Sequence, residues 1–174
     1  MWKVGVLQGL FHYDLRKSYR EFVTTNNQTG KKYRVCSFFS RVTSKLKTVY
    51  KLLYKNGVKM PSMEALEKLT PLGIAVWYMD DGCYNYRNRT IMLSTYGSYD
   101  QNKVYQDYFR QRWGIEWRIG RHFDKYFLVR GYKSEDAKKF LALVRPFISE
   151  QFKYKLGETV VAARKGDNIV RHSK

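Results

Sequence analysis

Thr70-Pro71-Leu72-Gly73-Ile74-Ala75-Val76-Trp77-Tyr78-Met79-Asp80-Asp81-Gly82 is the stretch whose reading decides the fold. Thr70 can cap a helix whose first position is Pro71, where a missing amide donor costs nothing. From Leu72 to Met79 every residue but Gly73 is apolar, so the helix must be buried on nearly all sides. Gly82 is expected to end it in the left-handed conformation. Two adjacent carboxylates then sit at the negative pole of the helix dipole, a position that typically costs an anion about 0.3–1 kcal/mol. A cation bound there reverses the penalty, so Asp80 and Asp81 read as a metal site at the tip of a buried helix.

The rest of the composition fits a polyanion partner. The 174 residues carry 33 Lys and Arg against 15 Asp and Glu, a net charge of +18. A surface of that sign first suggests nucleic acid. The charge is uneven, with thirteen basic residues in the first 60 positions against only Asp14 and Glu21. The spacing of the many aromatic residues predicts core packing more than base stacking. Cys36 and Cys83 have no metal-ligand spacing and predict a reducing compartment. With no apolar run of membrane-spanning length and no signal-peptide pattern, the expected setting is intracellular, in the cytoplasm or an organelle matrix, and not secreted.

Outward from the central helix, Arg20–Thr25 and Lys32–Ser40 flank the turn signal Asn26-Asn27-Gln28-Thr29-Gly30 and predict a β-hairpin. Thr43–Lys55 predicts a helix ended by Asn56-Gly57, and Pro61–Leu69 a short one. After Gly82 the sequence predicts a polar turn over Tyr84–Arg89 and a strand over Thr90–Thr95. A helix follows from Ser98 or Asp100 to Trp113, closed by Gly114. Ile115–Gly120 and Tyr126–Arg130 predict a second hairpin, Ser134–Val144 a helix broken by Pro146, and Ser149–Leu156 a last helical turn. From Gly157 periodicity is lost. The expected organisation is residues 1–69 as a partial first half, 70–157 as a complete second half and 158–174 as a basic tail.

The central stretch resembles the second signature helix of the LAGLIDADG homing endonucleases, in the single-chain, intron-encoded branch whose motif ends Trp-(aromatic)-Met-Asp-Asp-Gly. The resemblance implies an α+β fold of αββαββα half-domains with antiparallel DNA-binding sheets. It also implies two such helices side by side, each delivering one acid to Mg²⁺ (or Mn²⁺) at the scissile phosphates. The acid carried over is Asp81, with Asp80 as its neighbour. Lys155, in Tyr154-Lys155-Leu156, matches a lysine that lies near the metals in that branch, and Lys59 loosely corresponds to it in the first half. Either would orient water or stabilise the transition state of phosphodiester hydrolysis.

A first motif is harder to place. Leu7-Gln8-Gly9-Leu10-Phe11-His12-Tyr13-Asp14 resembles the signature, with Asp14 in the acid's place. Yet Leu15 replaces the closing Gly, and the interval to Asp81 holds one hairpin where a half-domain needs two. The spacing therefore favours Met1–Phe11 as the end of an internal helix, with the first acid upstream of Met1. On that expectation the Leu72–Met79 helix lacks its partner, and Leu72, Ala75, Val76 and Met79 form an open apolar seam. An N-terminal fragment, a second copy or a longer polypeptide would cover it.

Two Mg²⁺ ions roughly 4 Å apart can activate water and stabilise the leaving oxygen. Mg²⁺ keeps most of its waters, so one carboxylate from each half suffices. Specificity is expected from hairpins in the major groove of double-stranded DNA, which admits a β-ribbon. The candidate readers are Arg20, Lys32 and Arg34 in the first hairpin, and Arg118, Arg121, His122, Lys125 and Arg130 in the second. Ile119, Phe127 and Val129 are then expected to face the core. An intron RNA maturase, or a catalytically inactive nucleic-acid-binding protein on the same scaffold, is the alternative.

Overall fold

The computed structural model describes residues 2–9, 11, 13–39 and 44–157; the basic tail expected over 158–174 lies outside them, as do Leu10 and His12 of the Leu7–Asp14 stretch. The chain divides into two compact units, Met1–Ser62 and a second beginning at Met63.

The first unit opens with α1 (Trp2–Gln8), and Asp14 then caps a single 3-10 turn over Leu15–Ser18, its carboxylate accepting from the Arg16 amide at 3.0 Å. The Gln8 side chain ties the end of α1 to the 3-10 turn, accepting from Leu15 N at 2.9 Å and donating to Tyr13 O at 3.0 Å. The predicted hairpin forms, β1 (Arg20–Thr25) against β2 (Lys32–Ser37). After α2 (Ser44–Leu53) the structure departs from expectation, because Asn56-Gly57 does not cap the helix. Both residues take positive φ, 50° and 77°, and join β3 (Tyr54–Lys55) to β4 (Val58–Lys59). Asn-Gly has two residues suited to left-handed backbone, and a tight hairpin uses both where a helix end uses one.

The second unit is built on α4 (Pro71–Asp81), preceded by the short α3 (Met63–Leu66). Thr70 caps α4, its hydroxyl accepting from Gly73 N at 3.2 Å, with Pro71 in the first turn. The chain leaves α4 directly into β5 (Gly82–Asn85), which pairs with β6 (Thr90–Ser94). This corrects the polar turn expected from Tyr84. It also corrects the role of Gly82, whose φ of −87° is extended and not left-handed. Glycine is needed there for room: a Cβ would sit 2.0 Å from Tyr78 Cδ2 and 2.4 Å from Tyr78 O.

Next comes α5 (Tyr99–Trp113), with Ser98 and Gln101 forming a capping box and Gly114 closing it at φ 60°. The hairpin of β7 (Arg118–His122) and β8 (Lys125–Gly131) follows, then α6 (Glu135–Val144) with Ser134 as cap. Two 3-10 segments, Arg145–Phe147 and Glu150–Leu156, complete the described chain. The four strands form one antiparallel sheet in the order β5-β6-β8-β7. From α4 to α6 the order is αββαββα-like, as the resemblance implies.

The helices pack on one face of this sheet. Ile91, Leu93 and Leu128 point into the core and are fully buried. Phe109, Trp117 and Phe140 meet edge to face with centroids 5.0–5.9 Å apart, and Tyr78 joins them through Phe140 at 5.1 Å. Each such pair contributes about 0.5–1.5 kcal/mol beyond the area it buries. The open seam expected along α4 is not found. Ala75 and Met79 are buried and Val76 is half-buried, leaving only Leu72 exposed. The reason is that α6, the Arg145–Phe147 turn, β5 and β6 all pack round this apolar helix.

Candidate active site

The end of α4 brings three predicted site residues together. Asp80 is exposed, Asp81 is half-buried, and Lys155 is buried at 7% exposure. The Lys155 ammonium donates to Met79 O at 2.6 Å and to Tyr78 O at 3.4 Å. In return the Tyr78 hydroxyl donates to Lys155 O at 2.7 Å, and burial pushes that phenol's pKa well above its ordinary value. The lysine thus lies against the negative pole of α4, where its ammonium serves the Met79 carbonyl, while Tyr78 O also accepts from the Gly82 amide. Charge compensation for the helix end is therefore part of the fold, from a residue 74 positions downstream of Asp81.

Asp81 has no hydrogen-bond or ion-pair partner among the described residues. Its half-buried carboxylate at an unfavourable dipole end fits a bound cation. No three His, Cys, Asp or Glu side chains converge among the described residues. This donor set suits Mg²⁺, which takes one or two carboxylates and keeps its waters, and does not suit a protein-enclosed zinc site. Asp14, which accepts from the Arg16 amide, and the exposed Lys59 on β4 both belong to the first unit.

Strand register sorts the predicted nucleic-acid contacts. In the second hairpin Arg118 pairs with Val129, Gly120 with Phe127 and His122 with Lys125, so these six share one face. That is the face away from the helices, and Phe127 and Val129, expected in the core, lie on it. Arg130 shares the opposite face with the buried Leu128. Its guanidinium donates to Asp136 Oδ2 from Nε at 3.2 Å and from Nη2 at 2.6 Å. Arg130 therefore serves the fold and not a groove, which corrects its place among the readers. Arg121 is exposed but also off the open face, with Nε donating to Phe123 O at 2.7 Å. In the first hairpin Lys32 and Arg34 share a face with Glu21, and Arg34 is ion-paired to it. Arg20 lies on the other face, so the three do not act together.

Asp136 carries a pH signature. The Glu116 amide and then Arg130 hold its carboxyl below the usual range. A depressed folded-state pKa stabilises fully above the unfolded value, about 3.9, and the gain is lost as pH falls through the folded value. Asp136→Asn is expected to cost about 1–2 kcal/mol at pH 7, read as a lower urea midpoint. The difference from the unaltered protein should shrink as pH falls below about 4.

On the open face lies a trough of about 640 Å³. Met92, Ser94, Phe127, His122 and Lys125 line it together with Tyr96 and Phe123 at its rim. The two rim aromatics are 65% and 82% exposed, and both hold positive φ, 54° and 55°, which bulky residues rarely adopt.

Residues 7–140 match the model of the LAGLIDADG DNA endonuclease family. The chain belongs to that family. The match begins at Leu7 and so includes the Leu7–Asp14 stretch. Among relatives, a probable intron-encoded DNA endonuclease of Mycosarcoma maydis is 29% identical over 114 residues, 62% of this chain and 82% of that protein. The RecA protein of Mycolicibacterium flavescens is 29% identical over 113 residues, 58% of this chain but only 27% of that protein. The match therefore spans about a quarter of the length of that RecA protein. Among solved structures, the homing endonuclease I-WcaI bound to its DNA recognition sequence aligns with a TM-score of 0.69 at 20% identity. It covers 79% of this chain and 63% of its own. The LAGLIDADG fold follows from that likeness.

Sequence reasoning missed Tyr78 and Asp136 as partners of Lys155 and Arg130, and missed Met92 altogether. Ser134-Glu135-Asp136 reads as an acidic first helical turn, a signal that hid the longer-range pair.

Proposed function

We propose that this chain is a site-specific DNA endonuclease that hydrolyses phosphodiester bonds with a divalent metal, Mg²⁺ or Mn²⁺. The observation that carries the reading is Asp81, a half-buried carboxylate without a partner among the described residues, at the negative end of a family signature helix. Asp81 would hold the metal, with Asp80 beside it. When bound, the metal supplies charge stabilisation at the scissile phosphate and a more acidic water. The chain's own contribution is to fix Asp81. Thr70 and Pro71 set the start of α4, its apolar sides lock it in the core, and Lys155 anchors its last carbonyls. Asp14, on the Leu7–Asp14 stretch that resembles the signature, is one candidate for the acid of the other half, and an acid on a segment upstream of Met1 is the other. The open sheet face would lie in the major groove, with Arg118, His122 and Lys125 toward the duplex.

Asp81→Asn keeps shape and removes the charge. It is expected to lower the cleavage rate by about 10²–10³-fold, the scale on which one preorganised electrostatic contact acts, while DNA affinity without metal changes little. Gel analysis of a selected duplex with Mg²⁺ measures both. Unchanged cleavage by Asp81→Asn would make Asp81 a turn residue. Cleavage of both strands by the unaltered chain, lost in Asp14→Asn, supports Asp14 as the second acid. Nicking of one strand only would put that acid on another polypeptide.

A further inference from the structure

The open face of the sheet has an arrangement that the catalytic reading does not require. Its cations stand at the two ends, Arg118 at one and Lys125, paired in register with His122, at the other, and neither Arg118 nor Lys125 is ion-paired among the described residues. Arg121 and Arg130 are turned to other partners. Between the ends β6 and β8 present Met92, Phe127 and Val129, with the small polar Ser94 beside Phe127. Val129 lies beside Met92 in register, and Phe127 lies between Gly120 and Ser94. The position of Phe127 is built in, since a Cβ on Gly120 would sit 2.6 Å from the Phe127 ring. All three apolar side chains are half-buried, so each keeps a surface available to a ligand.

We infer that Met92, Phe127 and Val129 form an apolar reading strip for thymine C5-methyl groups in the major groove, which makes them specificity-determining residues. The inference rests on the DNA-binding reading above and deepens it. Three physical facts carry it. The chain's charge of +18 and the cations flanking the strip match a duplex and not an apolar protein surface. In the major groove the thymine methyl is the one apolar group that a base pair presents. Finally, same-face positions on a strand lie roughly 7 Å apart, close to two base-pair steps of about 3.4 Å. The strip therefore spans one to two methyl groups, with hydrogen-bonding cations on either side.

The test uses the full chain and a pool of random duplexes, from which bound sequences are selected without metal. Each dT of a selected duplex is then replaced singly by dU, which lacks only the methyl group. At one or two positions affinity is expected to fall about 4-fold, the worth of burying one methyl group. Met92→Gln and Val129→Asn, both close in size to the originals and without a methyl group, should abolish that dT/dU difference and leave salt-dependent binding in place. If a variant fails to fold, the replacement series on the unaltered protein decides alone. Selected duplexes that tolerate dU everywhere overturn the inference while the DNA reading stands. So does a dU effect that persists in both variants. Failure to enrich any duplex, with binding to uracil-containing RNA instead, overturns the DNA reading and the inference together.

Discussion

DNA affinity is expected to fall about 10³–10⁵-fold between 50 and 200 mM salt, as when a protein neutralises ~6–10 phosphates. The excess of 33 basic over 15 acidic residues supplies the charge. The structure says which residues should carry it. Arg118 lies on the open sheet face without an ion-pair partner among the described residues, so Arg118→Ala should lower the salt slope by about one unit. Arg130 is turned to Asp136 beside the core, so Arg130→Ala should leave the slope unchanged and appear in stability instead. Fluorescence anisotropy of a labelled duplex over a salt series measures all three. A flat response of the unaltered chain would remove nucleic acid as its partner.

Lys155→Ala is expected to destabilise the second unit by about 3–5 kcal/mol. A charge-assisted bond to a buried acceptor is worth about 1.5–3 kcal/mol, and truncating a long buried side chain adds a cavity cost of similar size. The Met79 carbonyl, which Lys155 meets at 2.6 Å, would be left without that donor at the end of α4. Thermal unfolding followed by circular dichroism should show a drop of more than about 10 °C. Lys155→Met, which fills the space, should recover the cavity part and not the hydrogen bond. A lysine that acts only on phosphate or water would give the opposite pattern, with an unchanged melting temperature and lost cleavage. An unchanged melting temperature in both variants would show that the clamp between Lys155 and α4 contributes nothing to folding.

The tip of α4 illustrates how far local chemistry reaches. Thr70, Pro71 and the apolar run specify a buried helix, and the acids at its end pose an electrostatic problem visible in one dimension. The solution is not visible there. Lys155 could be proposed as a site lysine only through resemblance, and its role as the cation of the helix end depends on the Arg145–Leu156 segment returning beneath α4. Gly82 shows the same division. A glycine after a helix predicts left-handed backbone, yet this one is extended and is small because Tyr78 occupies the space of a Cβ.

The hairpins show where pattern gives out. The larger elements were legible, because Asn26–Gly30, Ser98, Gly114 and Ser134 act within a few residues of themselves. The orientation of β8 was not. Tyr126-Phe127-Leu128-Val129 is apolar without alternation, so either parity satisfies a hydrophobic reading, and a one-residue change of parity exchanges every side chain between faces. Packing of α5 and α6 on the side of Leu128 settled it. By itself the sequence determined the capped apolar helix, its terminal carboxylates, the two longer hairpin signals and the surplus of positive charge, all of which follow from short-range chemistry or composition. The tertiary structure decided which cation meets the helix end, which arginine is turned to Asp136 and which apolar side chains are left on the open face, because each depends on residues that only the folded sheet brings side by side.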